Sequence, residues 1–233
     1  MLGKLWLIPN TLSEGPIERS IPEEVRDVAS GLTHFFVESE KGARAFLKRL
    51  PLRIPIQDAE VLALDDSRAM ERMLDVLRQG RDAAILSDAG LPCVADPGAQ
   101  AVLQAHRIGA EVKPLVGPCS ILLALMGSGL NGQSFAFCGY LPVEKIERER
   151  KIRELEQLSS RHKQTQIFME TPYRSQKLFE SLLETCSDGT WLSVAANLTS
   201  ADQTIGTRRV AEWKNGRVEF GKAPCIFCLS SLP

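Results

Sequence analysis

Short apolar runs separated by longer amphipathic stretches set the rhythm of this chain. Residues 5–8, 35–37, 83–86 and 112–116 are apolar runs of strand length, bounded by polar residues or glycine. Between 65 and 79, Ala69, Met73, Leu74 and Leu77 recur at helical spacing and Gly80 follows them. Residues 97–106 predict a further helix, closed by Gly109. The second half continues the alternation, with strands expected at 135–138, 166–169 and 192–195 and helices at 144–158 and 173–184. Residues 208–213 and 223–230 read as closing strands. Strands alternating with helices define an α/β fold class. A chain of 233 residues has room for two such domains. The turn around Gly117 divides them into an N-terminal α/β domain, 1–116, and a C-terminal α/β domain, 117–233.

The run 83–86 leads directly into Ser87-Asp88-Ala89-Gly90-Leu91-Pro92-Cys93-Val94-Ala95-Asp96-Pro97-Gly98. Asp96 is expected to cap the next helix and Pro97 to occupy its first turn, which places the loop at the carboxyl end of a strand. Open α/β sheets bind ligands outside those ends. Strand-to-helix loops usually take about 2 to 6 residues. This one is longer and carries two carboxylates and two glycines, so it reads as a ligand loop. Gly117-Pro118 and Thr171-Pro172 also put a proline ahead of a helix. Three such entrances could turn backbone donors toward a polar small molecule.

Composition narrows the function classes. Hydrophobic residues make up 44% and charged residues 24%, the balance of an ordinary globular protein. The longest apolar run, 120–126, is too short for a bilayer, and residues 1–9 lack the layout of a secretory signal, so a cytoplasmic protein without membrane contact is expected. The six cysteines are scattered and are expected to be reduced. Cys225 and Cys228 form a CxxC inside an apparent buried strand, where residues three apart face opposite ways, so no metal is expected. A net charge of −1 provides no general attraction to nucleic acid. The basic stretch 145–163 is interleaved with glutamates and reads first as a solvated helix face. Gly127-Ser128-Gly129-Leu130-Asn131-Gly132 spells GxGxxG, but it follows a helix and precedes a strand, the reverse of a dinucleotide loop. His34, His106 and His162 show no motif spacing, and Cys93 has no partner base visible in the sequence.

Five segments in order carry a resemblance that covers most of the chain. They are Ser87-Asp88-Ala89-Gly90-x-Pro92 with Asp96-Pro97-Gly98, Val116-Gly117-Pro118-Cys119-Ser120, Ser128-Gly129-Leu130, Phe137-Cys138-Gly139-Tyr140-Leu141-Pro142, and Phe168-Met169-Glu170-Thr171-Pro172-Tyr173-Arg174. The chain thereby resembles the tetrapyrrole methylase superfamily, and within it the ribosomal RNA small-subunit methyltransferase I branch. The resemblance implies two α/β domains with S-adenosylmethionine in the cleft between them, usually in a homodimer. It implies methylation of a cytidine ribose 2′-hydroxyl in ribosomal RNA. Asp88, Ala89, Gly90, Pro92 and Val94 would line the cofactor, with Cys119 and Ser120 at the next helix entrance and Met169, Ala196, Asn197 and Leu198 from the second domain. Catalysis would need alignment of donor and acceptor and a carboxylate to take the hydroxyl proton, for which Asp88, Glu170 and Glu38 are the candidates.

Departures from the branch pattern concentrate on the acceptor side. Ile8-Pro9-Asn10-Thr11 stands where relatives have a small glycine-containing loop, and the segment 38–44 keeps only Glu38 and Arg44 of an acid- and arginine-rich motif. A His- and Asn-containing segment before Asp65 is missing. Ala195-Ala196-Asn197-Leu198-Thr199 lacks the usual Arg-Glu pair, and the chain stops short of the C-terminal extension of longer relatives. Two alternatives therefore stand beside RNA methylation: methylation of a small molecule such as a tetrapyrrole, and a non-catalytic, cofactor-binding regulatory relative.

Overall fold

Apolar strands with no polar face must be covered on both sides, and the first half of the chain is built to do this. Its elements are β1 (Leu5–Ile8), α1 (Glu23–Gly31), β2 (His34–Val37), α2 (Glu40–Leu47), β3 (Glu60–Ala63), α3 (Ala69–Arg78), β4 (Ala83–Leu86), α4 (Ala99–Arg107) and β5 (Val112–Pro114). The computed structural model describes residues 1–216 and 218–231. It divides the chain into two units, Met1–Cys119 and Ser120–Pro233.

In the first unit the strand order is β3-β2-β4-β1-β5 and every pairing is parallel. Successive strand residues feed opposite cores. Phe35, Val37, Ala84 and Leu86 pack with Val25, Ala29, Phe46 and Leu47 of α1 and α2. Phe36, Ala83 and Ile85 pack with Met73, Leu77, Ala101 and Ala105 of α3 and α4. This two-residue alternation makes the sheet the middle layer of three. Because β4 lies between β2 and β1, the exits of all three strands share one edge of the sheet.

The second unit contains α5 (Ser120–Ser128), β6 (Phe135–Tyr140), α6 (Lys145–His162), β7 (Thr165–Glu170), α7 (Ser175–Thr185), β8 (Trp191–Ala196), β9 (Thr204–Arg209), α8 (Val210–Lys214) and β10 (Cys225–Ser230). Its sheet runs β6-β7-β10-β8-β9, with β6 and β7 parallel and the other pairs antiparallel. Phe168, Val194 and Phe227 share one core with Ile152 and Leu155 of α6 and Leu178, Phe179 and Leu182 of α7. Phe168 and Phe227 stack with ring centroids 5.8 Å apart. On β10, Cys225 joins this core and its neighbour Ile226 does not, as alternation requires. Among the described residues no helix is long and apolar enough to cross a membrane.

Two local expectations need correction. Residues 208–213 are not one strand: β9 ends at Arg209 and a helical turn follows. There Glu212 Oε2 accepts the Arg209 N–H at 2.8 Å. Trp213 donates its indole N–H to Leu192 O at 2.8 Å, which draws the chain back over the sheet. Nor do the three prolines sit in the first helical turn. Pro97, Pro118 and Pro172 precede α4, α5 and α7 by two or three residues. Around Pro172 the reason is visible: Thr171 O accepts from Arg174 N and Ser175 N, so proline shapes a lead-in turn.

Truncating Phe168, fully buried against Phe227, leaves a cavity the flanking strands cannot close. Phe168→Ala should cost about 3–5 kcal/mol in urea unfolding, whereas truncation of the exposed Leu103 should cost well under 1 kcal/mol.

Candidate active site

Both strands that flank β4 in the first sheet contribute anchors to the loop that follows it. From β1 comes Asn10, which pairs with Gly90 through reciprocal backbone bonds of 2.8 and 3.1 Å. Its buried side-chain amide donates to Ser87 O at 3.1 Å and to Asp88 O at 2.9 Å, while its Oδ1 accepts from Thr11 N at 2.7 Å. From β2 comes Glu38, whose N–H donates to Leu86 O at 3.1 Å and whose Oε2 accepts the Asp88 N–H at 2.9 Å. The next residue, Ser39, is the N-cap of α2 and accepts from Gly42 N at 3.1 Å. The same hydroxyl lies 2.8 and 2.9 Å from the two oxygens of Asp88 and donates to that carboxylate.

Asp88 is therefore held at the positive end of α2, where a carboxylate is favoured. The approach is close enough to require glycine. A Cβ on Gly42 would lie 2.3 Å from Asp88 Oδ1. Within the loop Gly90 has φ +72°, and Cys93 and Ala95 also take left-handed values of +68° and +65°. Such values are uncommon for residues with a side chain and persist where the surroundings over-determine the backbone. Burial, and secondarily the charge of Asp96, push the Cys93 thiol up, so it is not an activated nucleophile.

Asp96 does not cap the following helix. That cap is Gly98, at φ +123°, and no side chain bonds there. Asp96 instead hydrogen-bonds Ser87 and faces Glu38 and Asp88. Its pKa is raised to about 6, first by burial and then by Glu38 and Asp88, against the opposing Ser87 bond. Three carboxylates so close together make a pocket of negative potential that is relieved by a proton or by a cationic ligand.

The other expected site residues are distributed as follows. Ala89 and Val94 are exposed on the loop, Pro92 is buried, and Cys119 is almost buried at the end of the first unit. In the second unit Ser120 opens α5, and Met169 and Glu170 end β7. Ala196 ends β8, followed by Asn197 at φ +52° and Leu198. Cys225 of β10 pairs with both Glu170 and Ala196, so these two strand ends flank it on one edge. Glu170 is engaged locally: its Oε1 accepts from Thr171 N at 2.7 Å and from Arg174 Nε and Nη2 at 3.0 and 2.6 Å. Glu38 and Asp88 meet within the first unit, while Glu170 belongs to this separate ion pair. The basic stretch forms α6, and three of its seven cations are in ion pairs: Lys145 with Glu149 and Glu184, Lys151 with Glu154, and Arg153 with Glu149.

The profile described as Tetrapyrrole (Corrin/Porphyrin) Methylases matches residues 21–213. The chain belongs to the tetrapyrrole methylase family. It is 30% identical over 211 residues to Ribosomal RNA small subunit methyltransferase I of Vibrio cholerae, covering 89% of this chain and 69% of that one. The protein of the same name from Escherichia coli O157:H7 is 26% identical over 213 residues, 90% and 70% of the two chains. The chain thus spans about two thirds of the length of these relatives. It falls within their branch of the family. Among solved structures the methyltransferase CobJ superposes with a TM-score of 0.61 at 18% identity, covering 98% of this chain and 94% of that one, a likeness of fold. This tetrapyrrole methylase is a methyltransferase whose methyl donor is S-adenosylmethionine.

The carboxylate set fits that donor, which carries a sulfonium and an ammonium group against a single carboxylate. Sequence reasoning does not single out Asn10 or Ser39, and it assigns Asp96 to the wrong task. The pattern Ser39-Glu40-Lys41-Gly42 before an apolar helix is an N-cap signal that could have found Ser39. Asp96 depends on partners distant in sequence and leaves no local signal.

The raised pKa of Asp96 has a definite sign in stability. Between about pH 4 and pH 6 the folded state holds a proton that the unfolded state has lost, so stability falls as pH rises through this window. Asp96→Asn should therefore be more stable than the parent protein at pH 7. Denaturant midpoints measured at several pH values should show this difference vanishing toward pH 4.

Proposed function

We propose that this methyltransferase acts on small-subunit ribosomal RNA and methylates the ribose 2′-hydroxyl of a cytidine. The 30% identity across 89% of the chain to a relative named for that RNA carries the reading. The preserved donor-side loop supports it, since its carboxylates suit a cationic donor. We assign donor contacts in the first unit to Asp88, Ala89, Gly90, Pro92, Val94 and Cys119. In the second unit we assign the ligand-facing positions to Ser120, Met169, Ala196, Asn197 and Leu198.

When bound, S-adenosylmethionine supplies a methyl carbon activated by its positively charged sulfur. The protein's share of the chemistry is alignment, electrostatic complement and proton removal. Asp88, fixed by Ser39 and by the turn at Asn10, offers a carboxylate that needs no reorganisation to meet a cation. Glu38 holds the Asp88 amide and adds its charge to the same pocket. The acceptor hydroxyl loses its proton as its oxygen attacks, and a carboxylate must receive it. Asp96, with a pKa near 6, has more proton affinity than a surface aspartate and is still ionised at neutral pH, the compromise that general-base catalysis favours. We also propose that the chain works as a cytosolic homodimer. Exposed apolar residues on α5, Leu122 and Met126, support a partner surface.

Gly42→Ala separates donor binding from folding. An alanine inside a helix is intrinsically worth about 1 kcal/mol over glycine, so melting should be nearly unchanged. Its methyl group displaces the Asp88 carboxylate, and calorimetry should show S-adenosylmethionine affinity falling about tenfold, in line with loss of one charge-assisted hydrogen bond. The acceptor is tested by deleting the gene and mapping ribose methylation of small-subunit ribosomal RNA by mass spectrometry. One cytidine should lose its mark, and purified protein should restore it. Full methylation after deletion, or transfer to a tetrapyrrole and not to RNA, would overturn the reading.

A further inference from the structure

A cavity of about 110 Å³ in the second unit is lined by Val143, Arg148, Glu170, Arg174, Lys177 and Leu178. Arg148 is 4% exposed. Its Nε donates to Ser181 Oγ at 3.0 Å and its Nη1 to the carbonyls of Pro142 and Val143. Nη2 makes none of these bonds, and among the described residues no carboxylate pairs with this guanidinium. A buried arginine without a counter-ion is costly, and the cost falls when an anion reaches it. Arg174 is neutralised by Glu170, while the exposed Lys177 has no ion-pair partner among the described residues. Two cations are thus uncompensated at one opening.

The Glu170 carboxylate sharpens the chemistry. Its donors all meet Oε1, so Oε2 takes none of those bonds and the carboxylate still lines the cavity. A simple anion would be drawn by Arg148 and Lys177 and opposed by Glu170. A ligand that pairs a phosphate with a neighbouring hydroxyl satisfies both, since the hydroxyl donates to the carboxylate while the phosphate meets the cations. Tyr173, 82% exposed, is adjacent in sequence to Arg174 and presents a ring on which a base can stack, with Lys222 Nζ 5.6 Å from its centroid.

We propose that this cavity docks one ribose-phosphate unit of RNA, the phosphate on Arg148 and Lys177 and the 2′-hydroxyl on Glu170. The assignment rests on the RNA reading above and adds to it a backbone contact that distinguishes RNA from DNA.

The test uses the full chain and unmodified small-subunit ribosomal RNA made by transcription, with Lys177→Ala, Lys177→Glu, Glu170→Gln and, as a control at the far end of α6, Arg161→Ala. Lys177→Glu should raise the KM for RNA about tenfold with kcat and S-adenosylmethionine affinity little changed. In Lys177→Ala the slope of log affinity against log salt should shrink by about 0.7 to 0.9, the loss of one phosphate contact. Glu170→Gln should reduce the preference for RNA over DNA of the same sequence, and Arg161→Ala should match the parent. Lys177 is exposed, so melting temperatures should stay together. RNA methylation with unaltered KM and salt slope in both Lys177 variants, or an equal effect from Arg161→Ala, overturns this site and leaves the proposed function standing. Parent protein that binds the methyl donor but neither binds nor methylates RNA overturns both.

Discussion

The position of one strand governs the first unit. β4 lies between β1 and β2 with every pairing parallel, so three chain exits are forced to the same edge of the sheet. The long loop after β4 is consequently gripped from both sides, by Asn10 following β1 and by Glu38 and Ser39 following β2. Were β4 an edge strand, one of those grips would be lost and Asp88 would be an ordinary surface aspartate.

Charge arrangement then follows from backbone arrangement. The amide of Asp88 draws in Glu38, the cap of α2 draws in the Asp88 side chain, and burial brings Asp96 against both. Among the described residues no lysine or arginine forms an ion pair with any of these groups, which is unusual for three neighbouring carboxylates in a folded protein. A site that carries negative charge without its own counter-ion is prepared for a positively charged ligand. In the second unit the balance is reversed at Arg148 and Lys177, where positive charge is left uncompensated.

The sheet framework was legible because strands covered on both faces are written as unbroken apolar runs. β1, β2 and β4 emerge directly from residues 5–8, 35–37 and 83–86. β3 did not emerge: it is an edge strand, starts on Glu60 and has only Val61 buried, so its apolar signal is weak. The turn into α8 was hidden because Val210 and Trp213 suit either a strand or a helix until the indole finds Leu192 O. The ligand loop was legible through its length and its glycines, but its electrostatics were not. Glu38 and Asp96 are separated by 58 positions, and only the parallel pairing of β2 with β4 makes them neighbours. Asn10 illustrates the same limit, since a departure from the family pattern at that position turns out to hold the loop.

The left-handed backbone at Cys93 and Ala95 carries a consequence for affinity. Ordering a flexible loop around a ligand consumes part of the interaction energy at the moment of association. Here part of that entropy has already been surrendered during folding, under the hold of Asn10, Glu38 and Ser39 on residues 87–90 of the same loop. A ligand there meets a loop partly shaped in advance, so less of its contact energy goes into ordering the chain and more remains as residence time.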